Sequence, residues 1–309
     1  MATDKELLEM FDERLRVMNA ALDTFDQQTA EATKKLYQRI LEQYIPYFAT
    51  QGGKLVLNAK NLAFISGRLD KMLEAFTADI TSSALNTIAQ AMLKNTVMLK
   101  EYYGKMGFKK GALDPILKNM AQIYEAIGID AKGNILTGSY LDRLATGSAM
   151  RDQLKNYVTE ALTGKMELAK FQQGFKKLIV GSKDVDSAMI RYYKTYTHDA
   201  FMANIQVQDN HMAENLGLTW FVYSGTRKKT SRPFCVGGYD SVCGCTFESK
   251  LQKAFHESAL KKWDKMNWSG KQPGSTKTYK GGYNCRHALM WVTEETAKDI
   301  DDTAKEDRS

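Results

Sequence analysis

The sequence predicts a mainly α protein with a small α+β C-terminal domain, its long N-terminal helices packed as a coiled-coil-like hairpin or bundle. Two long segments, 4–45 and 61–106, carry apolar residues at alternating steps of three and four, the spacing of a helical seam. After Gly217 the pattern changes to short aromatic and β-branched runs between loops rich in Gly, Ser and Lys. The expected divisions are a helical arm or bundle over 1–135, a helical connector over 136–217, a small α+β domain over 218–292 and an acidic tail over 293–309.

Thr3 and Glu6 have the spacing of a capping box, so a helix is expected to start there. Its apolar stripe is Phe11, Leu15, Met18, Leu22, Phe25, a weak Thr29, Ala32, Leu36 and Ile40, with no Pro or Gly before Pro46. A single helix of about 40 residues would extend ~60 Å and needs a partner helix to cover its stripe. Gly52 and Gly53 mark a turn, and the partner follows from Asn61 to about Met106, with Leu62, Ile65, Leu69, Met72 and Phe76 as its seam and Leu85, Ile88, Met92 and Leu99 continuing it. Asp114-Pro115 reads as the cap and first turn of a short helix that Gly128 closes. A helical hairpin is expected over Leu141–Ile179 with Gly164 near its turn. Asp184 then opens a helix carrying Met189, Tyr193, Tyr196, Ala200 and Met212, with Gly217 as its C-cap residue. Beyond it, Leu218–Tyr223 and Ala288–Val292 read as strands and Ser249–Met266 as helix.

At 309 residues, 43% hydrophobic and 26% charged, the chain can bury a substantial core and lacks the composition of a disordered protein. It has no apolar run of the ~20 residues a membrane span requires, and its charged start does not read as a signal peptide, so a soluble cytoplasmic product with no membrane partner is expected. Residues 218–291 hold thirteen Lys and Arg against four Asp and Glu, whereas 293–309 hold three against seven. The positive field therefore belongs to the C-terminal segment and favours an anionic partner, either nucleic acid or an acidic protein surface. Lys261, Lys262, Lys265, Lys271, Lys277 and Lys280, interleaved with Trp263 and Trp268, are the candidate contacts. The competing reading makes those tryptophans the core of a small domain.

No Walker A loop, G-x-G-x-x-G, H-E-x-x-H or G-x-S-x-G is present, and no catalytic residue or bound cofactor is expected. All four cysteines lie in the last quarter: Cys235, Cys243, Cys245 and Cys285. Two segments stand out, Thr230-Ser231-Arg232-Pro233-Phe234-Cys235 and, about fifty residues later, Gly281-Gly282-Tyr283-Asn284-Cys285-Arg286-His287. With a helix ending at Gly217, the strand Trp220–Tyr223 before the first segment and a strand after the second, this order resembles the Mu-F-like phage head morphogenesis family of minor head, or minor capsid, proteins. The resemblance spans roughly Leu141–Val292. It departs from the family's pattern at Val236–Cys245, where two extra cysteines occur, and it does not reach the first hundred residues.

The resemblance implies a structural protein of a tailed bacteriophage, not an enzyme. Its expected place is in the virion head near the portal vertex, after assembly in the host cytoplasm. Portal and capsid proteins are the implied partners, with packaged DNA a further candidate and self-association within the particle expected. The two rivals are a non-specific DNA-binding virion protein and an enzyme such as a nuclease or transferase.

Cys243 and Cys245 are two residues apart, as are Cys285 and His287, so on extended backbone each pair faces one side. With Cys235 they make five candidates for a structural zinc site. A buried hydrogen-bonded cluster of Cys235, Cys285 and His287, or a disulfide, are the alternatives. Arg232 and Arg286 are expected to hold carboxylates or backbone carbonyls through the guanidinium fork.

Overall fold

The chain opens with the capping box: Thr3 N donates to Glu6 Oε2 at 2.7 Å and Glu6 N to Thr3 Oγ1 at 3.3 Å. Helix α1 then runs unbroken over Asp4–Gln43 in the computed structural model, which describes residues 2–182 and 185–304. Phe11, Leu15, Met18, Leu22, Phe25, Leu36 and Ile40 are all buried, and the weak position Thr29 is buried with them. A hairpin of β1 (Thr50–Gln51) and β2 (Lys54–Leu55) turns at Gly52 and Gly53, both at positive φ.

The partner run is helical from α2 (Ala59–Ala63) through α3 (Leu69–Asp79) to α4 (Asn86–Lys105), joined by π-helical turns at Phe64–Arg68 and Ile80–Leu85. Each π turn inserts an extra residue and rotates the stripe. That rotation corrects the expected seam: Leu62 is 44% exposed and Ile65 only half-buried, while Asn61, Phe64 and Leu69 face inward. Buried Asn61 has a polar task, accepting from Ala49 N at 2.9 Å and donating to the carbonyls of Ala49 and Val56 at 2.9 and 2.7 Å. From Leu69 onward Met72, Phe76, Leu85, Ile88, Met92 and Leu99 are buried as expected.

Two short helices follow, α5 (Lys110–Lys118) and α6 (Met120–Ile127), the latter closed by Gly128 at φ 98°. Asp114 is not their cap. Helix α5 begins four residues earlier, Pro115 lies inside it, and Asp114 pairs with Lys100 at 2.8 Å. The segment expected as one hairpin holds α7 (Tyr140–Thr146), α8 (Ser148–Thr163) and α9 (Leu168–Ile179), because Gly147 at φ 53° ends α7 before α8 can begin. Asp184 lies outside the described residues. The long helix α10 is Ala188–Leu216, and Ser187 Oγ accepts from Ile190 N at 2.9 Å at its start. At its end Gly217 has φ 69° and Leu218 N reaches back to the Ala213 carbonyl at 2.9 Å, a Schellman closure. Tyr196, expected on the apolar stripe, is 51% exposed, whereas Met189, Tyr193 and Met212 are buried.

The C-terminal part is built on β3 (Trp220–Ser224), fully buried, followed by the one-turn helix α11 (Pro233–Val236), the hairpin β4 (Gly237–Asp240) and β5 (Cys245–Ser249), and the edge strand β6 (Ala254–His256). Then come α12 (Ser258–Lys265), α13 (Thr276–Tyr279), β7 (Ala288–Val292) and α14 (Glu294–Ile300). The main sheet has the antiparallel order β6-β3-β7. The helix expected over Ser249–Met266 is confined to α12, because Gln252 at φ 59° turns the chain and Val222 pairs with Ala254 on the sheet. Of the expected acidic tail, α14 is folded: Thr293 caps it and Asp301 Oδ2 accepts from Ala254 N at 3.0 Å. Residues 305–309 lie outside the described ones.

The chain forms two compact units of interleaved segments. One comprises Met1–Ala21, Gln90–Lys132 and His198–Ser309; the other Leu22–Ala89 and Gly133–Thr197. Residues on both sides of Gly217 thus belong to one unit. No helix among the described residues is long and apolar enough to cross a membrane. Because Leu15 is 3% exposed, Leu15→Asp should cost on the order of 3–5 kcal/mol of stability in urea unfolding. Glu6→Ala, which removes only a solvent-exposed cap, should shift the midpoint far less. Equal midpoints for the two variants would show that the stripe does not carry the packing.

Candidate functional site

The two sequence segments that stand apart by fifty residues meet at the end of β3. Pro233 at the first position of α11 fixes its φ, and Cys235 N closes that turn on the Arg232 carbonyl at 2.9 Å, which places the Cys235 side chain inward. On the other side Gly281–His287 approaches as a loop: Cys285 N bonds the Gly282 carbonyl at 3.1 Å, and Asn284, at φ 55°, donates its N–H to Asp199 Oδ1 at 2.5 Å. The loop's last residues straighten into β7, so Cys285 and His287, two apart, present their side chains together.

Donor atoms of Cys235, Cys285 and His287 all lie within 4.8 Å of one another, and all three residues are buried. His287 Nδ1 is 3.4 Å from Cys285 Sγ, and its Nε2 has no hydrogen-bond partner among the described residues. Tyr223, from β3, donates its hydroxyl to Cys235 Sγ at 3.2 Å and lies 3.9 Å from Cys285 Sγ. A Cβ at Gly281 would stand 2.3 Å from Cys235 Sγ and 3.1 Å from Cys285 Sγ, so glycine there is a requirement of space. The Trp268 indole fixes that backbone by donating to the Gly281 carbonyl at 3.0 Å.

The electrostatics separate the two thiols. A hydrogen bond from Cys235, aided by His287 and by the charge of Lys280, holds Cys285 well below the usual thiol range against the effect of burial. The same hydrogen bond, with burial, pushes Cys235 well above it. Burial likewise raises the Tyr223 phenol. Cys285 is therefore the acceptor of the hydrogen bond between the two thiols.

Two of the five zinc candidates are elsewhere. Cys243 and Cys245 are joined in a disulfide at the β4–β5 turn and are not in the cluster. Arg232 ties the two segments, donating from Nη2 to the Tyr283 carbonyl at 2.5 Å, and Arg286 is half-buried between Cys285 and His287. The lysine set also divides. Lys261, Lys262 and Lys265 are exposed on α12. Lys271 Nζ instead caps the end of that helix, donating to the carbonyls of Trp263, Asp264 and Met266 at 3.2, 2.7 and 2.5 Å. Lys277 pairs with Glu214 at 2.6 Å, and Lys280 is buried with its ammonium on the Met202 carbonyl at 3.0 Å. The last three are structural, a correction to the expected basic surface. Trp263 and Trp268 are core residues, with Trp268 stacked on Phe234 at 3.8 Å.

No protein-family model, curated protein or solved structure matches the chain.

Sequence reading missed Tyr223, Gly281 and Lys250. Tyr223 follows Phe221 at strand spacing and read simply as core; Gly281 read as a loop glycine. Lys250 gave no signal at all. It is buried with Nζ 4.2 Å from the Phe234 ring centroid, 5.2 Å from Phe247 and 5.3 Å from Trp263, and burial pushes its pKa down to about 8.

Two outcomes follow from this geometry. Gly281→Ala should destabilise the protein by about 1–3 kcal/mol in chemical denaturation, since a methyl cannot enter beside Cys235 without displacing the buried sulfurs; an unchanged midpoint would mean the loop yields freely. For Lys250, the folded state releases its proton near pH 8 and the unfolded chain near 10.5, so the unfolded state binds more protons between these values and stability rises with pH. Wild type should therefore gain on the order of 1–3 kcal/mol relative to Lys250→Met as pH rises from about 8 to about 10. A difference between the two that is flat across this range would place the ammonium in solvent.

Proposed function

We propose that this chain is a structural minor head protein of a tailed bacteriophage, of the Mu-F-like kind, placed in the virion head near the portal vertex. One observation carries the reading. The two segments on which the resemblance rests, Ser231–Cys235 and Asn284–His287, converge on one buried cluster and are tied to each other by Arg232. Motifs whose task is to hold distant loops in a small domain would converge in this way. The enclosure of Cys235 and Cys285 behind Tyr223 and Gly281 supports structural rather than enzymatic work for the cluster. Portal and capsid proteins are the partners on this reading.

The test uses particles produced from the genome that encodes the chain. Quantitative mass spectrometry of purified particles should find it in few copies beside portal and capsid proteins, and disrupting its gene should lower the yield of filled heads by tenfold or more. Its absence from particles, with head yield unchanged, would overturn the proposal.

A second reading, non-specific DNA binding within the virion, is favoured by the exposed Lys261, Lys262 and Lys265 on a single helix. Since each phosphate contact contributes ~0.9 to the log–log salt slope, replacing all three by Glu should flatten it by roughly two to three. Lys271→Gln, at a cap, should leave the slope alone. A salt titration in which wild-type affinity does not change would remove this second reading.

A further inference from the structure

We propose that Cys235, Cys285 and His287 hold a zinc ion, with the Tyr223 hydroxyl at the fourth corner, and that the site locks the C-terminal loops together. The inference is independent of the virion reading. Bonds of ~2.0 Å to nitrogen or oxygen and ~2.3 Å to sulfur place neighbouring donors of a tetrahedral zinc ~3.3–3.8 Å apart, and a sulfur ~3.5 Å from a nitrogen or oxygen. The edges in the structure lie around that range: 3.4 Å from Cys285 Sγ to His287 Nδ1, 3.2 Å from Tyr223 Oη to Cys235 Sγ and 3.9 Å from Tyr223 Oη to Cys285 Sγ. The cysteine and histidine donors lie within 4.8 Å of one another, so the ion needs only a small contraction.

The kind of metal follows from the donors. Two sulfurs, one imidazole and one hydroxyl in a tetrahedral arrangement suit zinc, whereas calcium and magnesium require oxygen shells. Two thiolates also cancel the ion's charge, so the loaded centre is neutral in a buried place. Loading releases the thiol protons to solvent, with no oxidant or reductant needed. Only a glycine fits at 281 beside the two sulfurs and the Tyr223 hydroxyl, and with that hydroxyl at the fourth corner all four positions of the ion are filled by the protein. Such a closed centre is structural in kind. It would tie α11 to the loop before β7, fifty residues along the chain, and in this respect the Cys243–Cys245 disulfide, which spans two residues, is no substitute.

The full chain, purified with reductant and without chelator, should carry one zinc per molecule by elemental analysis and native mass spectrometry. Exchanged into cobalt, it should give the intense visible bands of a tetrahedral ion and the near-ultraviolet charge-transfer band of two thiolates. Cys285→Ser and His287→Ala should each lower retained zinc at least tenfold, while the double variant Cys243→Ser, Cys245→Ser keeps the full equivalent. Tyr223→Phe should retain zinc with roughly tenfold weaker affinity. If the ligand variants do not fold, the cobalt spectrum of wild type decides alone. Folded wild type free of metal, a six-coordinate cobalt spectrum, a Cys235–Cys285 disulfide in reduced preparations, or zinc lost on removing Cys243 and Cys245 would each overturn the site. Unchanged affinity in Tyr223→Phe would overturn its fourth corner.

Discussion

The free edge of β7 is buried, and its backbone groups must be satisfied by something other than a strand. In the register with β3, Leu289 faces Tyr223 and Trp291 faces Phe221, and the outward groups of these two residues find side chains. Gln206 of α10 accepts from Leu289 N at 3.0 Å and donates to the Leu289 carbonyl at 3.4 Å. Tyr102 of α4 donates to the Trp291 carbonyl at 3.1 Å, and Asn210 accepts from the Trp291 indole at 3.0 Å. An unpaired backbone group in a dry interior costs as much as a lost hydrogen bond. The amide on α10 thus does for β7 what a fourth strand would do, and it seals an edge that would otherwise offer a template for pairing.

This constraint explains why α10 is polar on several sides yet buried. Gln206 and Asn210, one turn apart, face β7 and bond each other at 3.0 Å. Asn204 and Gln208, the next such pair, reach the Ile123 carbonyl at 3.0 Å and Asn95 at 2.8 Å. Asp209 points in a third direction and pairs with Arg14 of α1, both 1% exposed. Burial raises the Asp209 carboxyl while the guanidinium opposes it. Arg14 Nε and Nη1 have no hydrogen-bond partner among the described residues, although the guanidinium lies 4.7 Å from the Phe11 ring centroid. A buried pair so incompletely solvated is a poor source of net stability. Its contribution is register: rotating α10 by one residue would leave an ion, two amide pairs and a strand edge without partners at once.

The elements most legible in the sequence were those set by local rules. The Thr3–Glu6 box, the α1 stripe, Gly128, Gly217 and the bounds of β7 follow from capping, periodicity and left-handed glycine, all readable within a few residues. The errors have one physical kind, in which tertiary demand overrides a local pattern. The π turns that moved the seam from Leu62 to Asn61 accommodate a polar side chain needed by the β1–β2 hairpin. Ser249–Met266 reads as helical by composition, but Ala254–His256 is taken up by the sheet edge. The candidate site was legible in its motifs and not in its membership. Cys235, Cys285 and His287 could be named, but only the fold separates them from Cys243 and Cys245, or brings Tyr223 and Gly281 against them.

The same override governs charge. A count of Lys and Arg over residues 218–291 treats each as surface, yet this loop-rich region is held largely by side chains bonded to backbone. Lys271 closes the end of α12; Asp264 receives the N–H of Thr276 at 2.7 Å and so starts α13; Asp240 receives Ser269 N at 3.0 Å; Arg232 reaches Tyr283. Where sheet and long helix are scarce, charged groups take over the satisfaction of amides and carbonyls, and each one so engaged is withdrawn from the outer field. Lys250, enclosed by three rings, and Lys280, on the Met202 carbonyl, are withdrawn entirely. The exposed positive charge of this region is therefore found on the face of α12 that carries Lys261, Lys262 and Lys265 and on Arg227, Lys228 and Lys229 of the loop after β3. Such an exposed field is screened by salt far more than the buried network beneath it is.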